Sequence, residues 1–104
     1  MTREETVERF KEAMKGTPWK FDGPAGDHFD GTTVWTPEAS APLHSHLAFV
    51  GRVAEALGRT NFETFTLFWV DVNAHVAALV CDGEGADWSR AAMLAAVAAI
   101  EARA

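Results

Sequence analysis

The chain has 104 residues, and nine Lys and Arg side chains against fifteen Asp and Glu give it a formal net charge of −6 at pH 7. The length suits one domain spanning residues 1–104. An apolar content of 48% excludes a disordered tail, and one cysteine excludes an internal disulfide. The acidic balance argues against direct binding of nucleic acid. No unbroken apolar run reaches the ~18 residues of a membrane span and no apolar leader begins the chain, so we expect a cytoplasmic protein with no membrane contact.

The first predicted element is a helix at the start of the chain. Thr2 and Glu5 have the spacing of a capping box, in which each side chain accepts a hydrogen bond from the other residue's backbone N–H. Apolar residues then recur at helical spacing at Val7, Phe10 and Met14. Gly16 is expected to end this helix.

Residues 17–42 are rich in turn residues and predict a loop-rich hairpin. Its strand candidates are 19–21 and 33–35. The turn signals between them are Asp22-Gly23-Pro24, Gly26-Asp27 and Asp30-Gly31. A second helix follows from about Pro42 to Leu57, with Gly58 as its stop.

The second half of the chain predicts two strands and a last helix. Residues 62–70 are rich in aromatic and Thr side chains, which favours a strand, and 75–81 would form the return strand after a turn at 71–73. Asp87 is a suitable N-cap for a helix to about Arg103. The resulting order is α-β-β-α-β-β-α. We therefore expect a two-layer α+β domain, with an antiparallel sheet and helices mainly on one face.

The last helix carries no polar side chain over residues 91–100. A helix that is apolar on every side is usually covered on every side, and a small domain has little mass to do so. The stripe of Met93, Val97 and Ile100, or alternatively the aromatic strand at 62–70, is therefore expected to form the interface of a homodimer. The alternative is that its alanine-rich faces are small enough to tolerate water.

Acidic residues are concentrated near the start of this helix, since residues 61–87 contain five carboxylates and no Lys or Arg. Asp82, Glu84 and Asp87 predict an acidic rim, and Trp88 beside them is a candidate exposed anchor. Such a rim favours a basic or nucleic-acid-binding protein as partner. The alternative is a solvated surface that only confers solubility.

Histidines supply the main candidates for chemistry. On a strand the pair His44 and His46 could share a metal ion, but on a helix the two lie about 200° apart. We place them at the start of the second helix, with His46 beside the apolar stripe and His44 in water. Cys81 and His75 share a strand face at a separation of ~20 Å, too far to act as nucleophile and base. We therefore expect no cofactor, no metal and no catalytic residue.

The most consistent interpretation is a small non-enzymatic protein-binding domain of the inhibitor, adaptor or chaperone type, acting through the acidic rim and apolar anchors. Two alternatives stay open. One is a metal-dependent or ligand-binding enzyme that uses His28, His44 and His46. The other is a structural subunit of a larger assembly.

Overall fold

The protein is an α+β structure in a computed structural model that describes residues 2–21 and 27–103. The described residues form four α-helices and one three-stranded antiparallel sheet of order β1-β2-β3. The elements are α1 (Arg3–Ala13), β1 (Lys20–Phe21), β2 (Asp27–Phe29), β3 (Thr32–Val34), α2 (Leu43–Ala56), α3 (Phe62–Cys81) and α4 (Trp88–Glu101). The predicted α+β class and antiparallel sheet are confirmed.

The start of α1 has the predicted capping box. The Thr2 hydroxyl accepts from the Glu5 backbone N–H at 3.1 Å, and the Thr2 N–H donates back to the Glu5 carboxylate. This backbone hydrogen bond lowers the pKa of Glu5. Phe10 and Met14 are buried, and a short 3₁₀ turn at Met14–Gly16 ends the helix where Gly16 was expected to stop it.

The predicted hairpin region contains one strand more than expected, because β2 begins at Asp27, a residue assigned to a turn. Asp30 and Gly31 form the turn between β2 and β3, with φ of 53° and 75°. Two residues with positive φ are typical of a tight hairpin, and Asp-Gly suits it. The other predicted turn residues, 22–26, lie outside the described residues. The Trp19 ring, just before β1, contacts the rings of Phe10 on α1 and Phe49 on α2. The sheet therefore packs against these two helices.

The prediction of strands at 62–70 and 75–81 is wrong, because these residues form the single helix α3. Asn61 begins it by accepting a hydrogen bond from the Thr64 N–H at 2.9 Å. Its buried residues, Phe68, Val72, Val76 and Leu79, recur at helical spacing. Strand propensity is weak and yields to packing. The helix continues through the expected turn at 71–73, and the described strands and α-helices follow the order α-β-β-β-α-α-α.

Helix α4 is the central element of the fold, and Asp87 caps it as predicted. It contacts α1, α2 and α3. Met93 is fully buried and Val97 is 4% exposed. The predicted dimer stripe of Met93, Val97 and Ile100 is therefore covered by the chain's own helices, and a second chain could reach only half-buried Ile100. The physical reason is that α1, α2 and α3 all pack on α4, so this small domain covers its most apolar helix within one chain.

Candidate functional site

The side of α3 that faces away from α4 is an exposed apolar surface. Only four of the twenty residues of α3 are buried, and α3 makes its extensive contacts with α4 alone. Opposite the buried side lie Leu67, Val70, Ala74, Ala77 and Cys81, all exposed. We call these five residues the outer face of α3.

The outer face is apolar along its whole length. Leu67 is 60% exposed and Val70 is 58% exposed. The first charge on the helix, Glu63, lies one turn before the face, and Asp71 lies on its flank. Folded proteins expose single apolar side chains routinely, but a continuous stripe on one helix is typical of a contact surface.

The spacing along this face alternates between three and four residues, from Glu63 through Leu67, Val70, Ala74 and Ala77 to Cys81. This heptad spacing is the pattern of a helix that pairs with another helix along one seam. The sequence contained this signal. It was missed because the aromatic and Thr residues of 62–70 were interpreted as a strand, which has a period of two.

Two further apolar side chains flank the outer face. Phe62 is 88% exposed and Val80 is 53% exposed. They are separated by five helical turns and therefore lie on the same flank. Burying a Phe, Leu or Val side chain completely contributes about 1.5–3 kcal/mol, so covering Phe62, Leu67, Val70 and Val80 would contribute several kcal/mol.

The predicted acidic rim is smaller in the structure than in the sequence. Asp87 is 5% exposed, and its Oδ2 accepts from Arg3 Nε at 2.8 Å. Glu84 is exposed and pairs with Arg90 at 3.2 Å, while Asp82 is exposed at the end of α3. Only Asp82 and Glu84 therefore remain on the surface.

Trp88 is not the exposed anchor that we expected. It is half-buried, and its ring stacks on Trp69 at a centroid distance of 5.2 Å. Trp69 stacks in turn on Phe65 at 6.4 Å. These rings fill the junction between α3 and the start of α4, so they hold the outer face in place instead of contacting a partner.

A Ser-His-Asp cluster lies where α2 meets the start of α4. Ser89 Oγ is 2.6 Å from His46 Nδ1, and Asp87 Oδ1 is 4.0 Å from the same nitrogen. A catalytic relay needs the serine and the carboxylate on opposite ring nitrogens. Here both face Nδ1, which also accepts from the Ser89 backbone N–H at 3.2 Å. Ser89 is fully buried, so the cluster joins helices and cannot reach a substrate.

The other histidines do not form a metal site with His46. His44 is exposed, as expected for the opposite side of α2. His28 is half-buried, and its Nδ1 lies 3.5 Å from the Thr33 hydroxyl. Within residues 2–21 and 27–103, no three His, Cys, Asp or Glu side chains come close enough together to hold a metal ion.

A groove of about 460 Å³ lies between β3 and α2, beside the exposed ring of Trp35. Its charged residue is Arg52, which already donates to the Phe29 carbonyl at 2.9 Å and to Glu55 at 3.2 Å. The guanidinium also stacks over the Phe29 ring, 4.9 Å from its centroid. This arrangement holds α2 against the hairpin and presents little polar chemistry to a ligand.

Comparison of the chain with protein-family models, with curated proteins and with solved structures gives no significant match.

By length and composition alone, α3 is apolar enough to cross a membrane. Of the seven large apolar side chains that are exposed among the described residues, four lie on α3: Phe62, Leu67, Val70 and Val80.

Proposed function

We propose that this protein is a non-enzymatic protein-binding domain and that it binds through the outer face of α3. The observation that carries the proposal is the exposed apolar stripe at heptad spacing, with Leu67 and Val70 each more than half exposed. Helix-in-groove and helix-pairing contacts use anchors at this spacing. Inhibitor, adaptor and chaperone roles all use such a surface.

A protein partner fits this surface better than a lipid bilayer does. Inserting α3 into a membrane would separate Phe68, Val72 and Val76 from the core around α4. Laying the outer face on a membrane would bring Glu63, Asp71 and Asp82 close to anionic headgroups, which repel carboxylates. The position of these acids beside the apolar stripe therefore favours a protein.

The acidic residues keep a secondary part in the proposal. Asp82 and Glu84 lie just beyond the end of the outer face, where they would favour a partner with basic residues near its own contact site. Glu84 is already paired with Arg90, so its contribution is expected to be smaller than that of the apolar anchors.

Site-specific photo-crosslinking in cells tests the proposal. A benzophenone amino acid at position 67 should give covalent adducts with a protein, because this position lies at the centre of the proposed contact. The matched control is position 12, exposed on α1, where few adducts are expected. Val70→Lys should abolish the adducts at position 67, whereas Leu43→Lys, at a residue 56% exposed on α2, should not.

Two results would contradict this function. One is an equal, low adduct yield at positions 67 and 12 in a folded protein. The other is binding of the purified protein to neutral phosphatidylcholine vesicles that Val70→Lys abolishes, because that would assign the outer face to a lipid surface.

A further inference from the structure

We propose that the outer face of α3 pairs with the same face of a second copy of this protein, with the two α3 helices antiparallel around a twofold axis at the level of Val72. This inference rests on the proposed function, since it names the partner of the same surface. It places the self-interface on α3, which contains the aromatic segment 62–70 that the sequence offered as the alternative to the α4 stripe.

The sizes of the side chains along the face carry the argument. Its first half holds the bulky Leu67 and Val70, and its second half holds the small Ala74 and Ala77. In an antiparallel pair centred on residue 72, Leu67 lies opposite Ala77 of the second copy and Val70 lies opposite Ala74. Each large side chain then meets a small one, as close packing requires.

A parallel pair lacks this fit. Leu67 would meet Leu67 at one end of the contact, and Ala77 would meet Ala77 at the other end. The two Leu67 side chains would hold the helices apart at one end, and the two Ala77 side chains would leave a gap at the other end. Van der Waals contacts would be lost at both ends. The same surface therefore favours one direction of pairing over the other.

The flanking residues agree with the antiparallel direction. A twofold axis perpendicular to the paired helices places the same flank of each helix on the same side of the pair. The two flanks run in opposite directions, so the start of one lies beside the end of the other. Phe62 of one copy therefore lies beside Val80 of the other. Both side chains are exposed in the single chain, at 88% and 53%, and the pairing would cover them together.

Two Arg residues line the same depression as Asp71, near the twofold axis. Asp71 lies on the flank of the outer face, where two copies would bring two carboxylates towards each other. The depression that Asp71 lines, of about 410 Å³, is also lined by Arg59 and Arg103, with His75 as the remaining titratable group. Their positive charge on the same depression reduces the repulsion between the carboxylates.

The extent of the contact predicts its strength. Twenty residues of helix span about 30 Å, which is long enough for five seam positions and both flanks. A contact made by one helix of each copy is small beside the ~1,200–2,000 Å² of a stable interface, so we expect a weak and reversible dimer. The dimer should form and dissociate with protein concentration.

Cysteine crosslinking distinguishes the arrangements, with the native Cys81 as a probe. In the antiparallel pair Glu63 lies opposite Cys81 of the second copy, so Glu63→Cys should give a disulfide-linked dimer rapidly under diamide. Formation should be at least about tenfold faster than in the wild type, because the paired thiols are held at a high effective concentration. In the wild type the two Cys81 thiols would lie about 27 Å apart along the helices and should not react within the dimer.

The matched controls use the same two positions. Glu63→Cys combined with Cys81→Ser leaves one cysteine per chain at position 63, and these cysteines also lie at opposite ends of the pair, so rapid crosslinking should be lost. Val70→Lys added to Glu63→Cys should abolish crosslinking as well. Circular dichroism confirms that each variant is folded.

Other outcomes overturn the inference in separate ways. Rapid crosslinking of both single-cysteine proteins would show a parallel pair. Slow crosslinking of all variants, with a mass that stays at 11.3 kDa at every concentration, would show that the protein does not self-associate. If photo-crosslinking at position 67 then still gave adducts with a different protein, the proposed function would stand while self-pairing would be wrong. If it gave none, both would fail.

Discussion

Helices α3 and α4 are both strongly apolar, but one is covered on one side only and the other is the centre of the core. Ala91, Ala92 and Ala96 of α4 are fully buried, and three other helices contact α4. By contrast, Leu67 and Val70 of α3 remain more than half exposed. Apolar composition alone therefore does not tell which helix occupies the middle of a small fold.

The size of the side chains explains the difference. Alanines keep the surface of α4 narrow, so several helices can approach its axis closely. The Phe62, Leu67, Val70 and Val80 side chains of α3 are larger, and each remains more than half exposed. The small side chains of α4 allow it to lie at the centre of the fold. The larger side chains of α3 remain on the outside, where they form a surface for a partner.

The largest expected effect compares truncations in the two helices. Met93→Ala removes a fully buried side chain from α4 and should lower the free energy of unfolding by about 2–5 kcal/mol. Leu67→Ala removes a side chain 60% exposed on α3 and should lower it by less than about 1 kcal/mol in the monomer. Urea denaturation at a dilution where the protein is monomeric measures both. Equal losses would show that α3 is covered in the single chain.

A smaller effect is expected at the ends of the same two helices. Asp87→Ala at the start of α4 removes the cap of the Arg90 N–H, 3.0 Å away, and the partner of Arg3, so it should lower the free energy of unfolding by roughly 2–3 kcal/mol. Asp87→Asn keeps the capping oxygen and should lose less. The matched control is Asp82→Ala at the exposed end of α3, with a change within about 0.5 kcal/mol. A larger loss at Asp82 than at Asp87 would contradict the comparison.

The smallest expected effect is in the sheet, outside both helices, and concerns Asp27 on β2. Burial raises the pKa of Asp27, against the smaller opposing effect of the hydrogen bond from Trp19 Nε1 at 3.1 Å. The protonated carboxyl is therefore favoured by folding, and this contribution to stability is present below the unfolded pKa and is lost as the pH rises through the folded pKa.

Asp27→Asn removes this dependence, because its amide oxygen can still accept from Trp19 but does not titrate. The free energy of unfolding of the variant minus that of the wild type should therefore rise between about pH 3 and pH 7. Denaturation curves across this range measure the difference. A difference that falls with rising pH would show that the carboxylate is stabilised, and not desolvated, in the fold.

Much of the fold follows from local signals in the sequence. The capping box at Thr2, the stop at Gly58 and the N-cap at Asp87 each act within a few residues, and all three are confirmed. Helix α3 was missed because the aromatic and Thr residues of 62–70 favour a strand by propensity. The helical spacing of Phe68, Val72, Val76 and Leu79 competes with that signal, and their burial in the fold shows which of the two prevails.

The candidate site shows the same limit. The sequence identified Asp87 as a cap, but its partner Arg3 is 84 positions away, and only the fold shows that the carboxylate is unavailable to a partner. Ser89 carried no signal at all, although its hydroxyl meets His46 in the core. The heptad spacing of the outer face is present in the sequence, but it indicates a contact surface only if residues 62–81 form a helix.

The position of α4 in the chain sets the order in which the protein can fold during synthesis. Every other helix packs on α4, yet α4 is the last of the four to leave the ribosome. Helices α1, α2 and α3 would emerge with their apolar sides uncovered, and the long-range pairs Arg3–Asp87 and Arg9–Glu101 join residues from the two ends of the sequence. The four helices can therefore pack together only after α4 has been synthesised, and until then α3 lacks the helix on which it packs.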